Sequence, residues 1–211
     1  MIFEFNNRQV SDIIMTGLRE IKKQLRPGRA YRRSDLQQWS NAVDRHLRQL
    51  QNDGTLRKLS MGLYYYPKQT VFGESPVDDR TLVQAFLKDH RFLLTSPNAY
   101  NSLGVGTTQL YNKTVVYNHK RHGKFKLGER TFDFRKKAFF PLKPFPEFLL
   151  VDLVNNIKEL AEDKELVLSH VKEKAHSMDT IKLARAVRDF GGARAQKIFA
   201  TPSANNAAVS A

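Results

Sequence analysis

Residues 40–53, SNAVDRHLRQLQND, decide the fold, because their apolar and polar side chains recur with the period of an α-helix. One stripe is apolar and is predicted to be buried: Val43, Leu47 and Leu50. The opposite stripe carries guanidinium and amide groups: Asn41, Arg45, Arg48 and Asn52. Ser40 is the predicted N-cap, and Gly54 is predicted to end the helix. The pattern predicts one packed face and one face that is free to meet a polar partner.

Two helices are predicted before this stretch and two strands after it. The first helix covers residues 10–25, and the second is brief and begins at Ser34, its predicted N-cap. The strands are residues 55–58 and 63–66, joined by a turn at residues 60–62. Three helices followed by a two-stranded hairpin is the order of a winged helix-turn-helix domain.

The polar stripe suits a DNA duplex. Arginine can read guanine and asparagine can read adenine in the major groove, and basic side chains also bind phosphate. The predicted DNA-binding residues are Arg32, Arg33, Ser40, Asn41, Arg45, Arg48, Arg57 and Lys58. A helix face that is merely solvated is the alternative interpretation, since these residue types are common on any exposed helix.

The charge of the chain favours a polyanionic partner. Its 211 residues hold 35 Lys and Arg against 21 Asp and Glu, a formal net charge of +14. Residues 1–70 hold 13 basic and 6 acidic side chains, residues 71–140 hold 12 and 6, and residues 141–211 hold 10 and 9. Neutralising phosphates releases counterions and so drives binding to nucleic acid. The excess lies in the first two thirds of the chain, where such contacts are expected.

Composition and motifs exclude several classes of protein. The chain has no cysteine, so disulfides, thiolate catalysis and cysteine-based zinc sites are excluded. We expect no membrane span, no signal peptide and a cytoplasmic location. Phosphate-binding loops and the common hydrolase and metalloprotease motifs are missing, and His119 and His122 lack a third metal ligand. We therefore expect no cofactor, no metal and no enzymatic activity, while an enzyme without a recognisable motif remains an alternative.

The predicted fold class is α+β, with a mixed α/β second domain and a helical C-terminal part. The predicted boundaries are a winged helix-turn-helix domain at 1–70, a linker at 71–79, a second domain at 80–199 and a disordered tail at 200–211. The last long helix is predicted to bury one apolar face: Ile181, Ala184, Val187 and Phe190.

Two polar segments of the second domain are predicted partner contacts. One follows a short helix and contains Asn101, Thr107, Thr108 and Gln109. The other is a basic run at a predicted hairpin and contains Lys120 and Arg121. The alternatives are a helix end with an ordinary strand entry for the first segment and a solvated hairpin tip for the second.

Several runs resemble the AbiEi-type antitoxins of bacterial abortive-infection (type IV) toxin–antitoxin systems. Residues 40–59 and 62–67 are similar to the N-terminal winged helix of that family. Residues 99–109, AYNSLGVGTTQ, are similar to a run in which family members place Asn-x-Leu-Gly-Leu-Thr-Thr-Gln, and GERTF follows at 128–132. Here Val105-Gly106 replaces the commoner leucine, and Met61 replaces a commoner arginine before the wing glycine.

The resemblance implies two activities. The N-terminal domain would bind inverted repeats in double-stranded promoter DNA and repress its own operon. The C-terminal domain would neutralise a nucleotidyltransferase-type toxin, by direct contact or through the toxin's target. The alternative function is a generic winged-helix transcriptional regulator whose second domain senses a ligand or forms a dimer, because fold analogy does not settle function.

Overall fold

The computed structural model describes residues 16–200. Within them the chain has a mixed α+β fold with helices and several small sheets, which confirms the predicted class at that level. The described residues form two compact units: unit 1 holds 16–90 and Phe125–Thr131, and unit 2 holds Arg91–Lys124 and 132–200. The predicted helix start at 10–15 and residues 201–211 of the predicted tail lie outside the described residues.

Unit 1 begins with helices and a three-stranded sheet. Residues 16–24 are helical (α1). The elements that follow are β1 (Ala30–Arg32), α2 (Arg33–Leu36), a 3-10 helix (Gln37–Trp39), α3 (Val43–Asn52), β2 (Arg57–Ser60) and β3 (Leu63–Tyr65). The sheet has the order β1-β3-β2 and is antiparallel throughout. Apolar side chains of α1, α2 and α3 form the core with two residues from the strand region: Leu18, Ile21, Leu25, Leu36, Val43, Leu47, Leu50, Leu56 and Tyr64.

Both predicted serine caps differ from the structure. Helix α2 begins at Arg33, one residue before Ser34, because the Asp35 carboxylate accepts the Arg32 N–H at 3.1 Å and closes the first turn. Helix α3 begins at Val43, three residues after Ser40. The Ser40 hydroxyl instead accepts the Ala42 N–H at 3.0 Å, which holds the loop that leads into the helix.

The predicted linker is structured and lies within unit 1. Strands β4 (Lys68–Thr70) and β5 (Gly73–Ser75) form a hairpin, and α4 (Asp79–Leu87) follows. The Tyr65 hydroxyl donates to the Ser75 carbonyl at 3.1 Å and ties this hairpin to β3. The Asp78 carboxylate caps α4 by accepting the Thr81 N–H at 2.9 Å. A proline- and glycine-containing segment can thus be ordered by tertiary hydrogen bonds that its composition does not indicate.

Unit 2 consists of a four-stranded sheet and a group of helices. Its elements are β6 (Phe92–Thr95), a 3-10 helix (Pro97–Leu103), β7 (Thr114–Asn118), β8 (Gly123–Leu127), β9 (Arg130–Lys136), α5 (Pro146–Asn156), a 3-10 helix (Ile157–Glu159), α6 (Lys164–His176), α7 (Thr180–Phe190) and α8 (Ala193–Phe199). Strands β8 and β9 overlap the Phe125–Thr131 segment, which belongs to unit 1. The sheet order is β6-β7-β9-β8. Strand β6 pairs with β7 antiparallel, and β7 pairs with β9 parallel.

The basic run at residues 119–124 does not lie at a hairpin, contrary to the prediction. Strand β9 separates β7 from β8, so the run begins in the crossover between strands that are not neighbours. Strand β8, which was not predicted from the sequence, begins within this run at Gly123. The tip of the β8–β9 hairpin belongs to unit 1, where the Gly128 N–H donates to the Leu59 carbonyl at 2.7 Å.

Helix α5 is the centre of the unit 2 core, since seven consecutive residues from Phe148 to Val154 are buried. Helix α7 packs with its buried residues Leu183 and Ala186. Ile181, which was predicted to lie on the buried face, is 75% exposed, because the face that packs is rotated toward Leu183 and Ala186.

Candidate nucleic-acid interface

Helix α3 has the two faces that its spacing predicts. Val43, Leu47 and Leu50 are buried, together with His46. Asn41 in the preceding loop is exposed, and so are Arg45, Arg48, Gln49 and Asn52 on the helix. We call these five exposed residues the α3 face. Within residues 16–200, the guanidinium groups of Arg45 and Arg48 form no hydrogen bond or ion pair, so both are available to a partner.

Ser40 does not belong to this exposed surface. Its side chain is buried, and its Oγ lies 2.7 Å from His46 Nδ1. Together with the hydrogen bond from the Ala42 N–H, this contact assigns Ser40 to the interior of unit 1. The prediction that Ser40 contacts DNA is therefore wrong, since its side chain is buried while that of the next residue, Asn41, is exposed.

Arg32 is also used within the fold. Its Nε donates to the Ala85 carbonyl at 2.9 Å, and its Nη2 donates to the Phe86 carbonyl. Both carbonyls lie in the last turn of α4, where helix carbonyls lack intrahelical partners and where a positive charge is favourable. We therefore assign Arg32 the role of closing the end of α4 rather than contacting DNA.

Arg33 joins α2 to α3. Its Nε and Nη2 donate to the two oxygens of Asp44 at 2.7 Å each, and its Nη1 donates to Gln37 Oε1 at 2.9 Å. These hydrogen bonds lower the pKa of the Asp44 carboxyl below its ordinary value. Arg33 thus neutralises the one acidic side chain in the first turn of α3, which leaves Arg45 and Arg48 as the net charge of the helix.

The strands after α3 contribute one paired and one unpaired cation. Arg57 forms an ion pair with Glu74 of β5. The side chain of Lys58 is exposed, and its ammonium group has no hydrogen-bond or ion-pair partner among residues 16–200. Met61, at the turn between β2 and β3, is 96% exposed. Of the predicted DNA-binding residues, Asn41, Arg45, Arg48 and Lys58 therefore remain exposed and uncommitted.

Most of the predicted partner segment at residues 101–109 is buried or hydrogen-bonded within unit 2. Thr107 is buried, and Asn101 donates from Nδ2 to the Gln109 carbonyl at 3.4 Å. The Gln109 N–H donates to Glu162 Oε1 at 3.3 Å. Only Thr108 and Gln109 of this set present exposed side chains.

Lys120 and Arg121 are exposed at a turn that a single asparagine organises. The Asn118 Oδ1 accepts the N–H groups of Lys120 and Arg121 at 2.8 and 2.6 Å. Asn118 is itself buried and donates to the Val116 and Arg121 carbonyls. The two cations are thereby held at the surface of unit 2, apart in the sequence from the α3 face.

A buried polar network at the centre of unit 2 escaped the sequence reading. Asp152 of α5 is fully buried and accepts the hydroxyls of Tyr100 and Tyr117 at 2.8 Å each. Asn156 donates to both tyrosine oxygens, at 3.1 and 3.0 Å, and Lys137 Nζ donates to Asp152 Oδ1 at 3.2 Å. Burial and the nearby carboxylate raise the pKa of both tyrosines, which keeps their hydroxyls as donors. The network connects three elements around one satisfied carboxylate, and no sequence spacing indicates it.

Among residues 16–200, no three His, Asp or Glu side chains converge as metal ligands. No helix in the same range combines the length and the apolar character that a membrane span needs.

Comparison with known proteins gives a fold neighbour and a family. A crystal structure of the Rv2827c protein from Mycobacterium tuberculosis is similar to this chain, with a TM-score of 0.50 and 15% sequence identity, over 90% of this chain and 81% of that one. At this identity the likeness concerns the fold alone. The comparison with curated proteins gives no match. Residues 14–178 match the model of a family of unknown function, DUF6088, and the chain therefore belongs to that family.

Proposed function

We propose that unit 1 is a winged helix-turn-helix that binds double-stranded DNA through α3. The order of α1, α2, α3 and the β2–β3 hairpin supports this proposal, because it is the order in which that motif presents a recognition helix and a wing. In this proposal α3 enters the major groove, and the β2–β3 turn with Met61 reaches the neighbouring backbone.

The observation that carries the proposal is the difference among the five arginines of unit 1 that were predicted to bind DNA. Arg32, Arg33 and Arg57 have partners within the protein, whereas Arg45 and Arg48 stand exposed on one helix without any in the described residues. A helix with a packed apolar side and uncompensated guanidinium groups opposite suits a polyanion better than it suits plain solvent.

The chemistry of the α3 face allows both kinds of DNA contact. Arg45 and Arg48 can each donate two parallel hydrogen bonds to guanine or to a phosphate, and Asn41 can pair with adenine. Lys58 on β2 adds a cation suited to a phosphate, which fixes position without reading sequence. Residues 1–70 hold 13 basic and 6 acidic side chains, so the electrostatic field around unit 1 also favours DNA.

We further propose that the protein is a cytoplasmic antitoxin that represses its own operon at inverted repeats in the promoter. Its second activity is to neutralise a nucleotidyltransferase-type toxin encoded beside it. This part of the proposal rests on the resemblance of residues 40–67 and 99–109 to AbiEi-type antitoxins. In this proposal unit 2 carries the neutralising activity, with Thr108, Gln109, Lys120 and Arg121 as its exposed contact residues.

Co-expression with the neighbouring gene tests both halves in one strain. We expect the neighbouring gene to arrest growth alone and to be tolerated when the full chain is present. The variant Arg45→Ala/Arg48→Ala should still restore growth while losing repression of a promoter reporter. The full chain is used because unit 1 contains the β8–β9 tip, so a cut near residue 80 would damage both units. A harmless neighbour would refute the antitoxin half, and intact repression by the double variant would refute the DNA half.

A further inference from the structure

Two clefts of unit 2 share a wall formed by Ala138, Phe139, Asp189 and Phe190. The larger has a volume of about 630 Å³, and the other has a volume of about 430 Å³. Because the clefts share these residues, they are neighbours on the surface of unit 2, and we call the two together the Phe139 groove. The residues of the groove that bear on its chemistry are Arg91, His119, Lys137, Phe139, Lys158 and Arg194.

The lining of the Phe139 groove holds more cations than carboxylates. Besides Arg91, Lys137, Lys158 and Arg194, its lining includes Arg188, whose Nε donates to Asp189 at 2.9 Å. Asp189 is the single carboxylate in that lining, and its contact with Arg188 compensates its charge. The side chains of Lys158 and Arg194 are exposed, and their charged groups have no hydrogen-bond or ion-pair partner among residues 16–200. Both clefts are lined by cations: Lys137, Lys158 and Arg194 in the larger one and Arg91 and Arg188 in the other.

Phe139 gives the groove an exposed aromatic surface. Its side chain is 71% exposed at the wall that the two clefts share, although a phenylalanine of this size normally packs. Phe140, next in sequence, instead stacks on His119 with ring centroids 4.7 Å apart. Exposed rings between cations are the means by which proteins bind single strands, because bases stack on the ring while basic groups follow the phosphates.

Residues that line the groove are fixed by contacts with other residues of unit 2. Lys137 Nζ lies 3.2 Å from buried Asp152 and 3.8 Å from the centroid of the Tyr117 ring. Asn155 donates to the Phe190 carbonyl and accepts the Gly192 N–H, both at 2.9 Å. At Gly191 a Cβ would lie 2.4 Å from the Val187 carbonyl oxygen, so this turn requires glycine. A surface fixed in this way loses little freedom when a ligand binds.

Helix α6 of the same unit does not share this charge. Helix α6 exposes Lys164 and Lys172 beside Glu165 and Glu173, so its surface mixes both signs. Residues 141–211 as a whole hold 10 basic and 9 acidic side chains. The charge of the Phe139 groove is thus not shared by the C-terminal helices as a whole, and Lys120 and Arg121 form a second exposed basic site of unit 2.

We propose that the Phe139 groove binds single-stranded nucleic acid, with a base stacked on Phe139 and consecutive phosphates held by Lys158 and Arg194 on one side and Arg91 on the other. A duplex fits this chemistry less well, because its base faces are already stacked and cannot reach the ring. A free mononucleotide fits less well, because its phosphates would reach the cations of only one cleft. This activity is separate from the binding of duplex DNA by the α3 face.

Fluorescence anisotropy with labelled twelve-residue oligo(U) and oligo(dT) tests the proposal. The protein is the full chain with Arg45→Ala/Arg48→Ala, so that the outcome does not depend on the α3 face. Adding Phe139→Ala should raise the dissociation constant about fivefold or more, the usual effect of losing one stacked base. The matched control is Phe72→Ala, which removes an aromatic side chain that is 98% exposed at the β4–β5 turn, and it should leave binding unchanged.

A second pair of variants tests the phosphate contacts. Lys158→Ala/Arg194→Ala should reduce the slope of log K against log salt by about 1.4, the value for two phosphate contacts on a single strand. Lys164→Ala/Lys172→Ala removes the same charge from α6 and should leave the slope as it was. Circular dichroism confirms that each variant is folded.

Three outcomes would overturn the proposal. Folded Phe139→Ala could bind the oligonucleotides as tightly as Phe72→Ala does. Unlabelled UMP or AMP could compete as well, per nucleotide, as the twelve-residue strand, which would identify a mononucleotide site instead. A duplex of the same length could compete as well as the single strand, which would identify a general basic surface.

Discussion

Helix α3 of unit 1 and helix α6 of unit 2 are built alike on one side and differently on the other. Each buries apolar side chains against its own unit, such as Leu50 in α3 and Val171 in α6. On its exposed side α6 places Lys164 and Lys172 among glutamates, whereas α3 leaves Arg45 and Arg48 without acidic partners. The single acidic side chain in the first turn of α3, Asp44, is held by Arg33.

The number of basic residues on a helix is therefore a poor indicator of a binding surface. What distinguishes α3 is that other parts of unit 1 neutralise its acidic residue and leave its basic ones alone. A solvated helix needs mixed charge for solubility, and α6 has it. An uncompensated basic face lowers the cost of bringing phosphates close, which is the property that a DNA-binding helix requires.

The largest expected effect is on the free energy of unfolding, and it concerns the buried apolar side of each of the two helices. Leu50→Ala in α3 should lower the free energy of unfolding by about 2–5 kcal/mol, since a fully buried leucine is replaced by a cavity. Val171→Ala in α6 should lower it by roughly 2 kcal/mol, because it removes two buried methyl groups. Urea denaturation followed by circular dichroism measures both. If either variant unfolded at the wild-type urea concentration, the packing described for that helix would be wrong.

The next largest effect is on DNA affinity, and it distinguishes the exposed side of α3 from that of α6. Arg45→Ala/Arg48→Ala should weaken binding to duplex DNA from the protein's own promoter by roughly 2–6 kcal/mol, because each arginine contributes about 1–3 kcal/mol when it reads a base. Lys164→Ala/Lys172→Ala changes the net charge equally and should shift the affinity by less than about 0.5 kcal/mol. Gel-shift titrations compare the two. Equal losses in both variants would mean that net charge alone binds DNA.

A smaller effect tests whether Arg33 acts within the fold. Because Arg33 and Asp44 hold each other, Arg33→Ala and Asp44→Asn should each lower Tm, and combining them should add little to the larger single effect. Thermal unfolding of the two single variants and the double variant gives this cycle. Strictly additive decreases would show that the two side chains act independently and that the clamp between α2 and α3 does not exist in solution.

The smallest effect is a pH dependence of the same clamp. The pKa of the Asp44 carboxyl is lower in the folded protein than its ordinary value, largely because of the hydrogen bonds from Arg33. Its stabilising contribution is therefore complete above about pH 4, the usual value for an unfolded aspartate, and is lost as the pH falls through the lower folded value. The difference in Tm between wild type and Asp44→Asn should shrink as the pH is lowered from 6 toward 3. A difference that stayed constant would contradict this assignment.

Local pattern was enough to predict the part of unit 1 around α3. The spacing of Val43, Leu47 and Leu50 depends only on helix geometry, so the buried side and the exposed arginines could both be predicted. The hairpin that follows could be predicted because Gly62, at φ +68°, marks its turn. The mixed α+β class followed from the alternation of helical and strand-like segments.

Contacts between distant residues could not be predicted. Nothing local indicates that Arg32 meets carbonyls 53 and 54 residues later, so it was grouped with the DNA contacts. The position of β9 between β7 and β8 is likewise a matter of long-range pairing. Asp152 looks like a polar interruption in an apolar helix until the hydroxyls of Tyr100 and Tyr117 are found beside it. The Phe139 groove was missed for the same reason, since its cations come from five separate segments.

The central claim, that the exposed side of α3 lies against a DNA duplex, can be tested by cleavage from a single attached iron chelate. The chain has no cysteine, so Gln49→Cys on α3 or Ser169→Cys on α6 gives one unique thiol on an exposed helix position. With both labelled proteins bound to the promoter duplex, we predict focused strand cleavage from position 49 and none above background from position 169. Absence of cleavage from position 49 in a complex that is fully formed would contradict the claim.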